Sequence, residues 1–278
     1  MKQDQSTLLS LALTATAAGV VTAKTTPTPD DSSKKLATTE YVKVAGRLNR
    51  ILVYRLNAGV QQVSINGAAF TPTGAGTYTP AVGMIFIKAQ VQGGGGAAGG
   101  AGGAAAGNVS VGAPGSAGAY GVNLLNVADI GASKIVTVGA GGVAASNTAG
   151  AIGGSSSIGA LLIAPGGPGG GLLNNQVPPA VNGNSAASSV PTGANLLSVV
   201  GTAGAATLAS SASTGGMLGG SGGSSPLGPG PSGAPGNSAG VNAVNFGTGG
   251  SGVALNQAGG TAAGGNGAAG LVVIEEYI

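Results

Sequence analysis

The first apolar pattern along the chain is helical. Between residues 38 and 51, Tyr41, Val44, Leu48 and Ile51 recur at spacings of three, four and three, which is the a/d pattern of an amphipathic helix. Two heptads are too short to be stable alone, so this helix needs a partner. The partner is either the rest of its own domain or the same helix in other copies, which would form a short oligomeric bundle.

A β-hairpin is predicted directly after this segment. The runs "ILVYRLN" (51–57) and "VQQVSIN" (60–66) are rich in β-branched and large apolar residues, and only Ala58 and Gly59 separate them. Two strand-like runs joined by two such residues are typical of a hairpin. We therefore expect a tight turn at Ala58 and Gly59.

Two further strands are predicted far apart in the sequence. "MIFIKAQV" (84–91) alternates between two faces, with Ile85, Ile87, Ala89 and Val91 on one of them. The C-terminal run "GLVVIEEYI" has a comparable composition, and Lys88 can pair with Glu275 or Glu276 across a ladder. Pairing of these two strands would make the whole intervening chain one closed unit.

Glycine dominates that intervening chain. Residues 93–107 are fifteen consecutive glycines and alanines, and glycine accounts for 58 of the 278 residues. Further glycine-dense segments follow at 139–142, 165–171, 215–223, 228–236 and 247–270. A flexible linker or a disordered tract is one interpretation of this composition.

An ordered stack of backbones is the other interpretation, and we favour it. Ordering glycine costs more entropy than ordering any other residue, so the segments must recover that cost through paired backbone N–H and C=O groups. Extended segments of the polyproline-II type can lie side by side in this way, because no Cβ separates them. We expect residues 93–270 to form such a stack. Collagen is excluded because glycine is not strictly every third residue, and calcium-binding nonapeptide repeats are excluded because no Asp follows Asp129.

Charge is unevenly distributed along the chain. Eight of the ten Lys and Arg residues precede Val60, and no ionisable residue occurs from Ile135 to Ile274. The early basic residues are interspersed with acidic ones, which indicates a solvated surface and no nucleic-acid partner. The first 24 residues are too polar to span a bilayer, and we expect them to belong to the mature protein.

The same distribution argues against catalysis. The chain has no His or Cys, and Asp129 is the only carboxylate between Glu40 and Glu275. General acid–base chemistry, an activated serine nucleophile and a protein metal site all require groups that are missing here. We expect no enzyme activity, no cofactor and no metal.

Two stretches of the chain resemble bacteriophage tail-fibre proteins. "TPTPDDSSKKLATTEYV" (26–42) is similar to the tail-fibre repeat that ends in Lys-Leu-Ala-Thr-Thr-x-Phe/Tyr-Val. "GTYTPAVGMIFIKAQVQGGGGAAGG" (76–100) and the closing "GAAGLVVIEEYI" are similar to the glycine-rich tip of such fibres. The first motif is fairly specific, whereas the second is specific only in its first and last strands.

The resemblance implies a receptor-binding protein at the distal fibre of a virion tail, made in the host cytoplasm. Residues 1–58 would form a helical stem for attachment and oligomerisation, and residues 59–278 the distal tip. The implied partners are a bacterial surface receptor, either a glycan or an outer-surface protein, and other virion tail or baseplate proteins. A homotrimer assembled through the a/d residues is implied, and a monomeric cap on a separate fibre is the alternative.

Three loops are candidates for receptor contact: 119–129, 172–190 and 241–250. Their amides can hydrogen-bond a glycan or a protein edge, and their aromatic rings can stack on a ligand. The aromatics can equally fill a small core, and the asparagines can equally belong to solvated turns. The candidate residues are Tyr120, Asn123, Asn174, Asn175, Gln176, Asn182, Asn184, Asn242, Asn245 and Phe246.

The fold class expected from these observations is mainly β. A short helical N-terminal stem would precede a glycine-rich tip of β and polyglycine-II character. A glycine-rich structural or scaffold protein without a specific receptor is the alternative function. A polysaccharide-degrading tailspike is disfavoured because it requires paired carboxylates.

Overall fold

A computed structural model describes residues 13–15, 21–23, 46–74, 76–183 and 185–278. Contacts divide the chain into two units, residues 1–49 with 277–278 and residues 50–276. Within the first unit, two short strands pair antiparallel, and Arg47 and Ile278 exchange two backbone hydrogen bonds of 2.9 Å each.

Strands provide most of the regular structure of the described residues, so the expectation of a mainly β protein is confirmed. In chain order they are β1 (Leu13–Ala15), β2 (Val21–Ala23), β3 (Leu48–Asn57), β4 (Val60–Ile65), β5 (Thr71–Pro72), β6 (Thr77–Tyr78), β7 (Phe86–Gln92), β8 (Val109–Gly112), β9 (Tyr120–Asn126), β10 (Lys134–Thr137), β11 (Ser156–Ile158), β12 (Leu162–Ala164), β13 (Leu172–Gln176), β14 (Ala180–Asn182), β15 (Leu197–Val199), β16 (Thr207–Ala209), β17 (Met217–Leu218), β18 (Val253–Asn256) and β19 (Leu271–Tyr277). Helical structure in the described residues is limited to a single turn, α1 (Val127–Ile130), and two 3-10 turns at Thr214–Gly216 and Gln257–Gly259.

The largest sheet has seven strands in the order β15-β9-β7-β19-β3-β4-β5. The β3–β4 hairpin is confirmed, with Asn57 opposite Val60 and positive φ angles at Ala58 and Gly59. Strands β7 and β19 are neighbours in this sheet, as predicted. The chain between them therefore leaves from one strand of the sheet and returns to the adjacent strand. The domain boundary predicted between residues 58 and 59 falls at the turn of the hairpin.

The predicted helix is wrong where its residues are described. Leu48 and Ile51 lie on β3, whereas Tyr41 and Val44 lie outside the described residues. The a/d spacing overlaps a pattern with a period of two, because alternate residues of β3 turn inward and Leu52 is only 4% exposed. The period of two prevails because β4 and β19 pair with the backbone of β3 on both sides.

The glycine tract is an ordered stack of extended segments. Residues 93–101, the central segment, donate their backbone N–H groups to three neighbouring segments in rotation, at 2.8–2.9 Å. Residues 93, 96 and 99 donate to the carbonyls of 119, 116 and 113; residues 94, 97 and 100 to those of 154, 151 and 148; residues 95, 98 and 101 to those of 268, 265 and 262. This period of three matches the three residues per turn of a polyproline-II helix.

Close backbone approach explains why these positions are glycine. A Cβ placed on Gly95 would lie 1.9 Å from the carbonyl oxygen of Thr248, and one on Gly96 would lie 2.0 Å from that of Pro168. An alanine is accommodated where the facing residue is a glycine: a Cβ on Gly264 would lie 2.7 Å from the methyl group of Ala98. Glycine is therefore needed here because neighbouring backbones lie too close for a Cβ atom, and not only because glycine is conformationally free.

Clusters of buried side chains adjoin this stack. One face of the seven-stranded sheet packs on a second sheet of order β12-β11-β10-β6, where Ile87, Ile274, Ile158 and Leu162 are fully buried. A smaller cluster joins β8 and β18 to the sheet β14-β16-β17. A third cluster contains Ala101, Val253 and Leu255. The stack itself therefore needs few large side chains.

Candidate functional site

The turns at the end of the central segment are held by asparagine side chains. Asn175 has a positive φ of 54°, and its Oδ1 accepts hydrogen bonds from the backbone N–H of Ala105 at 2.8 Å and from Asn108 Nδ2 at 3.0 Å. Asn174 Oδ1 accepts the N–H of Gly102 at 2.9 Å. These amides close the turn that follows the central segment.

The remaining described amides of the candidate loops also bind the protein's own backbone. Gln176 Nε2 donates to the carbonyl of Asn174 at 2.6 Å, and Asn182 Nδ2 donates to the carbonyl of Val111 at 2.9 Å. Asn242 Oδ1 accepts the N–H of Asn266 at 2.8 Å, and Asn245 Nδ2 donates to the carbonyl of Pro229 at 2.8 Å. Much of the hydrogen-bonding capacity that suggested ligand contact is therefore used within the fold.

The expectation of an exposed loop at 119–129 is wrong. This stretch forms β9 and α1, and β9 pairs with β7 and β15. Tyr120 is 9% exposed and donates from its hydroxyl to Gln90 Oε1 at 2.6 Å; burial, followed by the charge of Glu275, raises the pKa of Tyr120. Asn123 is 4% exposed and donates to the carbonyls of Leu161 and Gly193. Strand pairing on both sides outweighs the loop-like composition of this stretch.

The two candidate aromatic residues differ in exposure. Tyr120 fills the sheet, whereas Phe246 remains 36% exposed, beside a turn in which its carbonyl accepts Ser225 Oγ at 2.6 Å. Asn184 lies outside the described residues. Asn174, Asn175 and Gln176 lie on β13 and Asn182 lies on β14, so the loop predicted at 172–190 is wrong for these residues. Asn242, Asn245 and Phe246 lie together on a loop.

Sequence reasoning missed a second turn that is held by asparagine side chains. Asn237, with a φ of 60°, accepts the N–H of Asn256 at 2.9 Å and donates to its Oδ1 at 2.8 Å, while Asn256 Nδ2 donates to the carbonyl of Ala212 at 2.6 Å. An isolated Asn among small residues was the available signal, because Asn tolerates the left-handed region better than other side chains.

The described carboxylates are all engaged in contacts within the protein. Glu276 is fully buried, and its Oε2 accepts hydrogen bonds from Arg50 Nη2 at 2.9 Å, from the hydroxyl of Tyr78 at 2.6 Å and from the N–H of Ala81 at 3.3 Å. Burial, together with the hydrogen bond to Glu276, raises the pKa of Tyr78 far above its ordinary value. This cluster fixes β19 against β3 and β6.

The other two carboxylates have equally local roles. Glu275 Oε1 lies 3.7 Å from Lys88 Nζ, so Glu275, and not Glu276, is the partner predicted for Lys88. The same oxygen accepts a hydrogen bond from Gln90 Nε2 at 2.9 Å. Asp129 Oδ2 accepts the N–H of Asn126 at 3.0 Å and so caps α1. Within the described residues, no three His, Cys, Asp or Glu side chains are placed to hold a metal ion. No helix there is long and apolar enough to cross a membrane.

No model of a known protein family matches this chain, and no curated protein matches its sequence.

Proposed function

We propose that this chain is a non-catalytic receptor-binding protein of a bacteriophage tail fibre, which attaches the virion to the surface of its bacterial host. Its glycine-rich tip, of polyglycine-II type, would support the turns that touch the receptor. The motifs in residues 26–42 and 76–100, which resemble motifs of tail-fibre proteins, motivate this proposal. A homotrimer bound to other tail or baseplate proteins belongs to the same proposal.

The observation that carries the proposal is the bundle of backbone-bonded segments around residues 93–101. Its neighbours approach through backbone atoms, so the exposed side chains of the connecting turns, apart from those that hold a turn as Asn175 does, can differ without changing the bundle. Such a scaffold suits recognition by surface turns. The engagement of Asp129, Glu275 and Glu276 in local contacts supports a role without catalysis.

Binding of the purified, fluorescently labelled full chain to intact cells of a broad panel of bacteria tests this proposal. We expect selective binding to some strains. Gly95→Val places a side chain against the Thr248 carbonyl, so it should disrupt the fold and thereby abolish binding. Gly103→Val in the same tract should keep both the fold and the binding, because no atom lies within 3.4 Å of its Cβ position. Absence of binding to every strain, by a folded preparation of defined oligomeric state, would favour a purely structural role. Sedimentation velocity of the same preparation distinguishes a trimer from a monomeric cap.

A further inference from the structure

Residues 229–235 form one border of the glycine-rich bundle. On its inner side this border segment bonds to residues 219–223, where the N–H of Gly222 donates to the carbonyl of Pro231 at 3.0 Å. A Cβ placed on Gly230 would lie 2.2 Å from the carbonyl oxygen of Gly222. Both kinds of contact recur three residues further along the border segment. An extended segment of this type has three rows of residues, each with a period of three, and two of these rows therefore face the bundle.

A segment inside the bundle shows what the third row does. Residues 113–119 have the same relation to the central segment: the Cβ position of Gly115 lies 2.0 Å from a carbonyl oxygen of that segment, and the carbonyl of Ser116 accepts one of its N–H groups at 2.8 Å. The next residue, Ala117, donates its own N–H at 3.0 Å to the carbonyl of Thr202, on a different segment. The third row is therefore the row whose N–H groups bind the next segment of the bundle.

Proline occupies most of the third row of the border segment. This row consists of Pro229, Ser232 and Pro235, and all three residues are exposed. Because proline has no backbone N–H, two of the three positions cannot donate to a further segment. Unpaired N–H groups at the edge of a bonded array are a template for pairing with another chain, and native sheets counter this with proline at their edges. The edge strand β5 of the seven-stranded sheet carries Pro72 in the same way.

A large side chain lies in the third row of a second border segment, residues 148–154. The Cβ position of Gly150 lies 2.1 Å from the carbonyl oxygen of Ala97, and the carbonyl of Ala151 accepts the N–H of Ala97 at 2.9 Å. The third row therefore includes Ile152, which is 75% exposed. Backbones approach to bonding distance in this bundle where no large side chain separates them, so a branched side chain in this row also opposes a further segment.

We infer that Pro229 and Pro235 end the bundle at this border and prevent it from pairing with glycine-rich segments of a second copy of the chain. Such a segment is the matched addition, because it carries backbone carbonyls and lacks the Cβ atoms that keep two backbones apart. The proline ring fixes φ at about −65°, which suits polyproline-II geometry, so the prolines remove the donors without distorting the segment. This role is independent of receptor binding.

The test restores the two donors in the full-length chain. Pro229→Ala/Pro235→Ala adds two outward N–H groups and at the same time removes exposed apolar surface, so pairing of backbones and apolar adhesion predict opposite changes in self-association. Leu227→Ala is the matched control, because it shortens a 40% exposed side chain in the adjacent turn and adds no N–H group. Light scattering over a concentration series measures association beyond the smallest assembled species. We expect the double variant to associate about tenfold more strongly than the wild type, and Leu227→Ala no more strongly than the wild type.

Ser232→Pro extends the test in the opposite direction, because it removes the remaining donor of the row and should associate no more strongly than the wild type. Thermal unfolding checks that every variant folds. A folded double variant that associates no more strongly than the wild type overturns the inference. An equal increase in Leu227→Ala also overturns it, because that variant adds no donor. Where the double variant does not fold, the single variants Pro229→Ala and Pro235→Ala decide by the same comparison.

Discussion

The replacement of Gly95 by alanine tests whether the bundle depends on backbone contact. Gly95 lies in the middle of the central segment, where it donates to the carbonyl of Ala268 and accepts from Gly142, both at 2.8 Å. The added methyl carbon would lie 1.9 Å from the carbonyl oxygen of Thr248, whereas ordinary contact begins near 3.4 Å. The facing segment would therefore have to withdraw by about 1.5 Å, because backbone atoms cannot rotate away as a flexible side chain can.

The cost of this withdrawal follows from the bonds that hold the facing segment. Gly118 donates to the carbonyl of Gly247, Ala268 to that of Thr248, and Gly250 to that of Gly96, at 2.8, 2.9 and 3.0 Å. Overpacking costs about 1–3 kcal/mol and each weakened hydrogen bond about 1 kcal/mol. The lower entropy of an unfolded alanine returns less than about 1 kcal/mol. We expect Gly95→Ala to lower the free energy of unfolding by about 4 kcal/mol.

Gly103→Ala is the matched control, since Gly103 belongs to the same run of glycine and alanine. The nearest atom to its Cβ position is the carbonyl oxygen of Gly260 at 3.9 Å, and its φ is not positive. Only the entropy gain applies, so we expect a stabilisation of about 0.5 kcal/mol. Thermal unfolding followed by circular dichroism should show a midpoint about 10 °C lower for Gly95→Ala and an equal or slightly higher one for Gly103→Ala. Equal midpoints for the two variants would refute the role assigned to close backbone approach.

Three further predictions concern the cores and the turns. Glu276→Gln leaves a partly buried guanidinium without its carboxylate and should cost about 3 kcal/mol in chemical denaturation, whereas Glu275→Gln at a partly exposed pair should cost less than about 1 kcal/mol; equal losses would contradict the importance of burial. Burial raises the pKa of Tyr78 in the folded state, so the contribution of its neutral hydroxyl to stability is complete below the unfolded pKa of about 10 and is lost as the pH rises further. Ionisation of Tyr78, followed by ultraviolet absorbance, should therefore coincide with alkaline unfolding. A reversible titration of every tyrosine in the folded protein would contradict this. Asn175→Ala removes a hydrogen-bond acceptor at a residue with positive φ, so it should lower the free energy of unfolding by about 2 kcal/mol and accelerate amide exchange in the turn 102–108. Asn175→Gly should restore the part of this loss that is due to backbone strain. Unchanged amide exchange in Asn175→Ala would show that the side chain does not hold the turn.

The strands that the sequence predicted are those in which side chains carry a pattern. The alternation from Ile85 to Val91 and the pair of residues at Ala58 and Gly59 determine β7 and the β3–β4 hairpin, and both are present. The a/d spacing at Leu48 and Ile51 was misleading because short apolar runs satisfy helical and strand periods at once. Pairing with neighbouring strands, which no local pattern records, decides between them.

The bundle could be predicted in kind but not in detail. Gly94, Gly95 and Gly96 are identical in sequence, yet they donate to Gly154, Ala268 and Ser116, which lie on three different segments. Without side chains there is no pattern to assign a neighbour, so the register depends on the turns between segments. The candidate site was affected by the same gap, because an Asn that binds a ligand and an Asn that closes a turn have the same sequence signature.

Backbone hydrogen bonding explains how a chain with so few large side chains forms an ordered bundle. Each turn of a three-residue helix presents one backbone N–H to each of three neighbours, so the central segment is held from all sides by groups that every residue carries. The requirement on sequence is therefore negative: no Cβ may face a neighbouring carbonyl, as at Gly95 and Gly96. Side chains that face outward, such as the exposed Val181, Leu208 and Leu218, are under no such restriction. Outward side chains can therefore be substituted while the bundle beneath them stays unchanged.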